Sequence, residues 1–349
     1  MNTMVDWNLA AKVAEGVAAL QPTGDPAPFQ ALVRPADEAE ALVSAYTGLT
    51  PQAGVLPVAE AVDRKAWVEA NLRSIRGVLD PAADKAAESM GALGGVVGGA
   101  AGAVIGVEAG AISGFLAGRV LGQYEFQVLD PDTPARLLFV APNLGHAATS
   151  LEAEPGQLLR WVALHEITHA LQFGGVPWLR PHLADMVREL TATLSVDPGK
   201  LFSGVPGLDD LRALVDTVRE SGVAAVVLGP ERRAQMDGIQ AFMAVLEGYA
   251  EHVMDAVGAD VIEDLPRLRA ALERRRADRT GFLRLLEKLI GMDMKLRQYE
   301  QGKRFCDGVV ERAGIAGLNR VWEQPDRLPT IAELDDPAGW LARVEPAAA

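Results

Sequence analysis

Hydrophobic and polar residues follow a helical spacing along the first third of the chain. Apolar residues recur every three or four positions in three stretches, which is the pattern of a helix with one buried face. Proline-rich segments separate these stretches, and proline interrupts the interior of a helix. We therefore predict helices over residues 6–20, 37–49 and 58–79.

The pattern changes after residue 122. QYEFQVL (residues 123–129) and RLLFVAP (residues 136–142) are typical of short strands, and the turn-rich DPDTPA joins them. Helical periodicity then returns over residues 154–173, 180–195, 208–221, 232–258 and 278–314. These elements predict a mainly α-helical protein with a small β-sheet, an α+β fold. We expect a helical N-terminal region, residues 1–122, and a second region, residues 123–349, in one compact unit.

Glycine is regularly spaced in one segment. Between Gly91 and Gly118 the chain is small or apolar except for Glu108, and glycine occupies every fourth position from Gly94 to Gly122. On a helix this spacing forms a groove that a second backbone can approach closely. The segment is long enough to cross a bilayer, but its central charge and scarce large side chains disfavour that. We predict a tightly packed helix or helical hairpin outside the membrane.

The charge of the chain limits its partners. A formal net charge of −14 disfavours unspecific binding to nucleic acids and anionic lipids. The single cysteine, Cys306, excludes an intrachain disulfide and a cysteine-rich zinc site. The N-terminal residues lack the basic start and apolar run of a signal peptide, so the cytoplasm is the expected compartment. The oligomeric state stays open.

Residues 161–173, WVALHEITHALQF, carry the strongest chemical pattern. His165 and His169 are four residues apart, so both imidazoles project from one helix face and can bind one Zn²⁺ ion. Glu166, about 100° around the helix, can reach a water on that ion as a general base. The flanking residues predict a buried helix, in which polar groups need partners. A buried hydrogen-bond network without metal, or a purely structural metal, is the alternative.

The third ligand of such a site has three candidates, because a catalytic zinc usually has three protein ligands. Glu247, in LEGYAEHVMD, is followed one turn later by Glu251, whose carboxylate could hold a ligand imidazole in its tautomer. Glu189 lies twenty residues after the second histidine, and His252 lies on a different face of the helix of Glu247. We rank Glu247 first, Glu189 second and His252 third.

Several segments, in order, resemble an actinobacterial family of zincin-like metallopeptidases that is often labelled as associated with biosynthesis of a deazaflavin coenzyme. The segments are RWVALHEITHALQF, PWLRPHL, LEGYAEHVMD and GMDMKLRQYEQGKRF, with VLGQYEF, FVAPNL and VWEQPDRLPT around them. The resemblance covers residues 114–344 and is weaker over the first ninety. It implies a zincin fold of the gluzincin type, with His165 and His169 as zinc ligands and Glu166 as base. It also implies Glu247, from the pattern E-G-x-A, as the third ligand.

These observations predict a zinc-dependent hydrolase, most simply a metallopeptidase that acts on a peptide or protein substrate. The alternative is a non-catalytic protein that keeps the zincin scaffold and a bound zinc as a binding or structural module. The intact base Glu166 argues against that alternative. Tyr249 and Tyr299 are candidate donors to an oxyanion, although packing explains each more simply. RLLFVAP is a candidate edge strand for pairing with an extended peptide.

Overall fold

The computed structural model describes residues 5–90, 94–193, 230–277 and 297–344. These residues form eleven α-helices, four short 3-10 helices and one sheet of three strands. The α+β class predicted from the sequence is therefore confirmed.

The helices and strands agree with most of the predicted elements. In chain order they are α1 (Trp7–Ala19), α2 (Val33–Thr47), β1 (Ala59–Val62), α3 (Arg64–Met90), α4 (Gly94–Ala117), β2 (Gly122–Glu125), β3 (Arg136–Val140), α5 (Ala141–Ser150), α6 (Pro155–Gly175), α7 (Leu179–Thr193), α8 (Pro230–Val261), α9 (Leu265–Ala277), α10 (Arg297–Leu318) and α11 (Pro337–Val344). The helix predicted from residue 58 begins instead at Arg64, because β1 occupies the residues before it. The predicted helix over 208–221 and the first part of that over 278–314 lie outside the described residues.

The three strands lie in the order β1–β3–β2, with β1 parallel and β2 antiparallel to β3. The prediction that RLLFVAP forms an edge strand is wrong, because β1 and β2 occupy both edges of β3. β2 lies at an edge of this sheet instead. Val140 donates its N–H to the carbonyl of Leu121 at 2.9 Å. Because hydrogen-bonded positions alternate in antiparallel pairs, the backbone groups of Gly122 and Tyr124 point to the outer edge.

Strand β3 is buried on both faces. Leu137 and Phe139 belong to the main hydrophobic core, which also contains most of α6. Leu138 and Val140 belong to a second core with side chains of α1 and α3. The sheet therefore separates α1 and α3 on one face from the histidine helix on the other, and α2 packs in the main core with the histidine helix. Because β1 comes from the predicted N-terminal region and pairs with β3, both regions contribute to one sheet, and the boundary at residue 122 stays a prediction.

Helix α4 carries the glycine series and packs closely against α1. A methyl group added to Gly110 or Gly114 would overlap the carbonyl oxygen of Ala10 or Ala14, respectively. The close helix contact predicted from the glycine spacing is thus present between α1 and α4. Glu108 is exposed. Among the described helices, none combines the length and the apolar character that a bilayer-crossing segment needs.

Candidate metal centre

Helix α6 presents the two histidines from inside the main core. Glu154 caps its N-terminus, where the carboxylate accepts the backbone N–H groups of Gly156 at 2.9 Å and Gln157 at 2.7 Å. From residue 158 to residue 173 only Arg160 and His165 are partly exposed. The buried helix predicted from the apolar residues around the motif is therefore found.

Three side chains converge beside α6. The Nε2 atoms of His165 and His169 lie 3.1 Å apart. Glu247 of α8 places one carboxylate oxygen 3.7 Å from His165 Nε2 and the other 3.6 Å from His169 Nε2. Among the described histidine, cysteine and acidic residues, these three form the group whose donor atoms, all within 4.8 Å of one another, could hold a metal ion.

The spacing of these donor atoms suits zinc. Tetrahedral zinc with ligand bonds of about 2.0–2.2 Å holds neighbouring ligand atoms about 3.3–3.6 Å apart. The observed separations of 3.1, 3.6 and 3.7 Å bracket that range. The carboxylate lies beyond hydrogen-bond distance from both imidazoles. Direct hydrogen bonds therefore do not join Glu247 to the histidines, and two nitrogens with one carboxylate are ligands that zinc accepts.

Gln172 determines the tautomer of His169. The Oε1 atom of Gln172 lies 2.8 Å from His169 Nδ1, and its Nε2 donates to the carbonyl of Leu246 at 3.2 Å. Because the amide nitrogen is used on Leu246, the amide oxygen accepts the Nδ1–H of His169. The Nε2 atom of His169 is then unprotonated and directed at the cluster. Sequence reasoning missed this role, although the position three residues after His169 could have indicated it.

The second histidine contacts a different part of α8. His165 Nδ1 lies 3.1 Å from the sulfur of Met254, which is buried. Glu251, one turn beyond Glu247, is half-buried, and its charge contributes to the raised pKa of the Cys306 thiol, which is mainly an effect of burial. The role of Glu251 as the group that holds a ligand imidazole stays a prediction.

Glu166 is directed at strand β2. Its Oε2 accepts the backbone N–H of Tyr124 at 2.9 Å. Gly122 provides the room, because a methyl group there would lie 2.6 Å from Glu166 Cγ. Burial raises the pKa of Glu166 to about 8, the charge of Glu247 adds to the rise, and the hydrogen bond from Tyr124 opposes it. A carboxyl group in this position can exchange a proton close to neutral pH.

Glu189 and His252 do not join the cluster. Glu189 is exposed on α7. His252 Nε2 lies 2.8 Å from the Tyr46 hydroxyl, and its Nδ1 lies 2.7 Å from Asp307. Of the three candidates for the third ligand, the structure places Glu247 beside the histidines.

Tyr249 does not serve the site through its hydroxyl. The side chain is fully buried, its hydroxyl donates to Asn319 at 2.7 Å, and its ring packs edge-on against Trp322. Burial raises the pKa of Tyr249. Tyr249 is therefore a packing residue, while the side chain of Tyr299 lies outside the described part of the chain.

Comparisons with known proteins cover nearly the whole chain. A family model described as zincin-like metallopeptidase matches residues 5–341. A crystal structure from Chloroflexus aurantiacus, described as that of a proposed hydrolase with a novel fold, is similar with a TM-score of 0.71 and 28% sequence identity. That similarity covers 99% of this chain and 100% of the other. Among proteins with curated functions, none matches. Both matches include the N-terminal helices as well as the three residues of the candidate metal centre.

Proposed function

This chain is a member of the zincin-like metallopeptidase family, and from that premise we propose that it is a zinc-dependent hydrolase of peptide bonds. The observation that carries the proposal is the convergence of His165, His169 and Glu247, with Glu166 next to them on α6. The association with a deazaflavin coenzyme, which belongs to the actinobacterial family that the sequence resembles, adds no substrate to this proposal.

The described residues divide the chemistry among themselves. Zinc, when bound, supplies a Lewis acid that polarises a carbonyl group and lowers the pKa of water. His165, His169 and Glu247 would hold it. The Glu166 carboxylate would take a proton from the attacking water and deliver it to the leaving nitrogen as the carbon–nitrogen bond breaks.

The outer edge of β2 supports a peptide as substrate. The N–H of Gly122 and the carbonyl groups of Gly122 and Tyr124 point away from β3, so an extended peptide can pair with them, while the N–H of Tyr124 is already bound to Glu166. The same edge passes over the proton acceptor, because Tyr124 donates its N–H to Glu166. A peptide paired with β2 would therefore carry its backbone past Glu166. This position favours a peptidase over a hydrolase of small soluble esters.

Replacement of Glu166 by glutamine tests the proposal. Glutamine keeps the shape and can still accept a hydrogen bond, but it cannot take a proton. We expect Glu166→Gln to bind zinc and melt like the wild type, while hydrolysis of peptide pools falls by about 10²–10⁴-fold. Glu189→Gln, on the exposed face of α7, is the matched control and should cleave like the wild type. Zinc content, melting temperature and cleavage by mass spectrometry are the measurements.

Three results would contradict different parts of the proposal. Equal cleavage by wild type and Glu166→Gln would show that Glu166 is not the base. Equal and negligible zinc in wild type and His165→Ala would remove the metal centre itself. Stoichiometric zinc without cleavage of any pool would favour the non-catalytic zincin scaffold.

A further inference from the structure

Arg180 lies at the end of an aromatic surface that begins at β2. Its guanidinium carbon is 4.9 Å from the centre of the Phe126 ring. Phe126 packs against Phe173 of α6 at 4.6 Å and against Tyr124 at 5.7 Å between ring centres. One continuous surface therefore runs from the backbone partner of Glu166, Tyr124, to the positive charge of Arg180.

The guanidinium of Arg180 lacks a bound counter-ion in the described part of the chain. Its Nη2 atom is buried without a hydrogen-bond partner. Asp130 is near enough for the charge of Arg180 to act on it weakly, but the carboxylate of Asp130 is engaged by the hydroxyl of Thr133 at 2.7 Å. A partly buried cation with unpaired N–H groups is costly unless a partner satisfies them. Arg180 is thus in contact with the Phe126 ring, while its Nη2 group has no hydrogen-bond partner among the described residues.

Tyr124 adds a second donor to the same surface. Both groups contact the same ring, because the Arg180 guanidinium carbon lies 4.9 Å and the Tyr124 ring centre 5.7 Å from the centre of the Phe126 ring. Burial raises the pKa of Tyr124 and outweighs the opposite effect of Arg180, so the phenol stays protonated at neutral pH. A planar guanidinium next to a phenol matches the acceptor geometry of a carboxylate, to which arginine can donate two parallel hydrogen bonds.

We propose that Arg180, together with the Tyr124 hydroxyl, binds a carboxylate of the substrate, from either an acidic side chain or a chain terminus. The inference rests on the proposed peptidase function, because β2 is the edge along which the peptide would run. Arg180 contacts the far end of this surface rather than the metal centre, so it selects substrates and takes no part in proton transfer. The net charge of −14 means that the protein as a whole repels acidic ligands. A preference for a carboxylate would therefore require a local positive group such as Arg180.

Matched peptide pairs test the inference. In the first pair of pools, the N-acetylated peptides carry either glutamate or glutamine at one position and are otherwise identical. That position is varied along the peptide. In the second pair, the peptides differ only by a free or an amidated C-terminus. The two pairs separate a side-chain carboxylate from a terminal one. The readouts are the ratio of kcat/KM within each pair for zinc-loaded protein and the ratio of Kd within each pair on Glu166→Gln, which should bind without cleaving.

We expect the wild type to prefer the carboxylate member of one pair, and Arg180→Gln to lose about 10- to 100-fold of that preference, as for a hydrogen bond to a charged group. Arg180→Lys should keep part of the preference, because it retains the charge but not the planar fork. Tyr124→Phe should lower it without removing it. Arg188→Gln is the matched control, since Arg188 lies on the same helix and is exposed and paired with Asp185.

Two outcomes would overturn the inference. One is equal affinity of the wild type for both members of every pair. The other is that Arg180→Gln and Tyr124→Phe both keep the wild-type ratio of Kd and of kcat/KM within each peptide pair. Absence of cleavage counts against the proposed hydrolysis alone, because the comparison of Kd values on Glu166→Gln does not depend on turnover.

Discussion

Gln172 makes two hydrogen bonds that act on different ligands of the candidate zinc site. Its Oε1 atom accepts the Nδ1–H of His169. Its Nε2 atom donates to the carbonyl of Leu246, the residue before Glu247. The same buried side chain therefore controls the protonation of one ligand and the position of the helix that supplies another. A single residue outside the donor set thus contributes to the site by acting on its ligands.

Two substitutions of Gln172 separate these contributions. Gln172→Met keeps the volume and removes both bonds, so zinc affinity should fall by about 10- to 100-fold. Gln172→Glu keeps an acceptor for His169 and loses the donor to Leu246, so its affinity should fall less. Competition with a chromophoric chelator measures the affinities, and Gln157→Met near the start of α6 is the control. Equal affinities in all these variants would show that other groups hold the tautomer.

The third ligand can be tested by deletion. Glu247→Ala removes one of three proposed protein ligands, so it should lose zinc on mild dialysis. Glu189→Ala removes an exposed carboxylate and should keep its zinc and its stability. Elemental analysis of the dialysed proteins is the measurement. Retention of zinc by Glu247→Ala together with its loss from Glu189→Ala would move the site to the second-ranked candidate.

Helices α1 and α4 form a unit whose stability depends on the absence of side chains. The added methyl at Gly106 would lie 2.6 Å from the backbone oxygen of Asp6, and Gly110 faces the backbone of Ala10 as closely. Neither neighbour is the end of a flexible side chain, so the backbones themselves would have to separate. The contact also supports the sheet, because Ala10 belongs to the core that buries Leu138 of β3.

Substitution within this helix pair should therefore be costly. We expect Gly110→Leu to lower the free energy of unfolding by at least about 1–3 kcal/mol, the usual cost of overpacking. Val107→Leu, on the same helix at a side chain that is 41% exposed, should change it by less than about 0.5 kcal/mol. Denaturant unfolding measures both. A Gly110→Leu protein as stable as the wild type would mean that α1 and α4 do not pack closely in solution.

At the scale of the whole molecule, helices α2, α8 and α10 meet at one polar contact. His252 of α8 lies 2.8 Å from the Tyr46 hydroxyl of α2 and 2.7 Å from Asp307 of α10. Lys303 bonds the other oxygen of Asp307 at 2.5 Å and pairs with Asp255 at 3.0 Å. Polar and charged groups from three helices therefore connect the helix of Glu247 to the rest of the fold.

This contact should make stability depend on pH in the acid range. Burial alone raises the pKa of Asp307, but hydrogen bonds from His252 and Lys303 outweigh it and bring the pKa below its ordinary value of 3.8. Because the folded pKa is the lower one, Asp307 contributes stability above pH 3.8 that is lost as the pH falls through the folded pKa. The free energy of unfolding should therefore fall less steeply with acid in Asp307→Asn than in the wild type. Asp260→Asn, which removes an exposed carboxylate on α8, is the control and should keep the wild-type dependence of the unfolding free energy on pH. The wild-type dependence in Asp307→Asn as well would contradict the assignment.

Local spacing was sufficient to predict several features from the sequence. The i, i+4 spacing places His165 and His169 on one face of any helix, and the apolar residues around them require that helix to be buried. The glycine spacing of α4 likewise leads to close helix packing, because it depends on backbone geometry alone. The α+β class follows from the periodicity of the segments.

Only the tertiary structure decided which distant groups meet. Glu247, Glu189 and His252 are all on helices, and nothing in their local sequence tells which helix packs across α6. β1 reads as the start of a helix until its pairing with β3 is known, and that pairing makes β3 central and leaves β2 at the edge. Gln172 and Arg180 acquire their roles from partners far along the chain, Leu246 for one and Phe126 for the other. Residue spacing determines what one helix presents, whereas the packing of helices and strands determines what it meets.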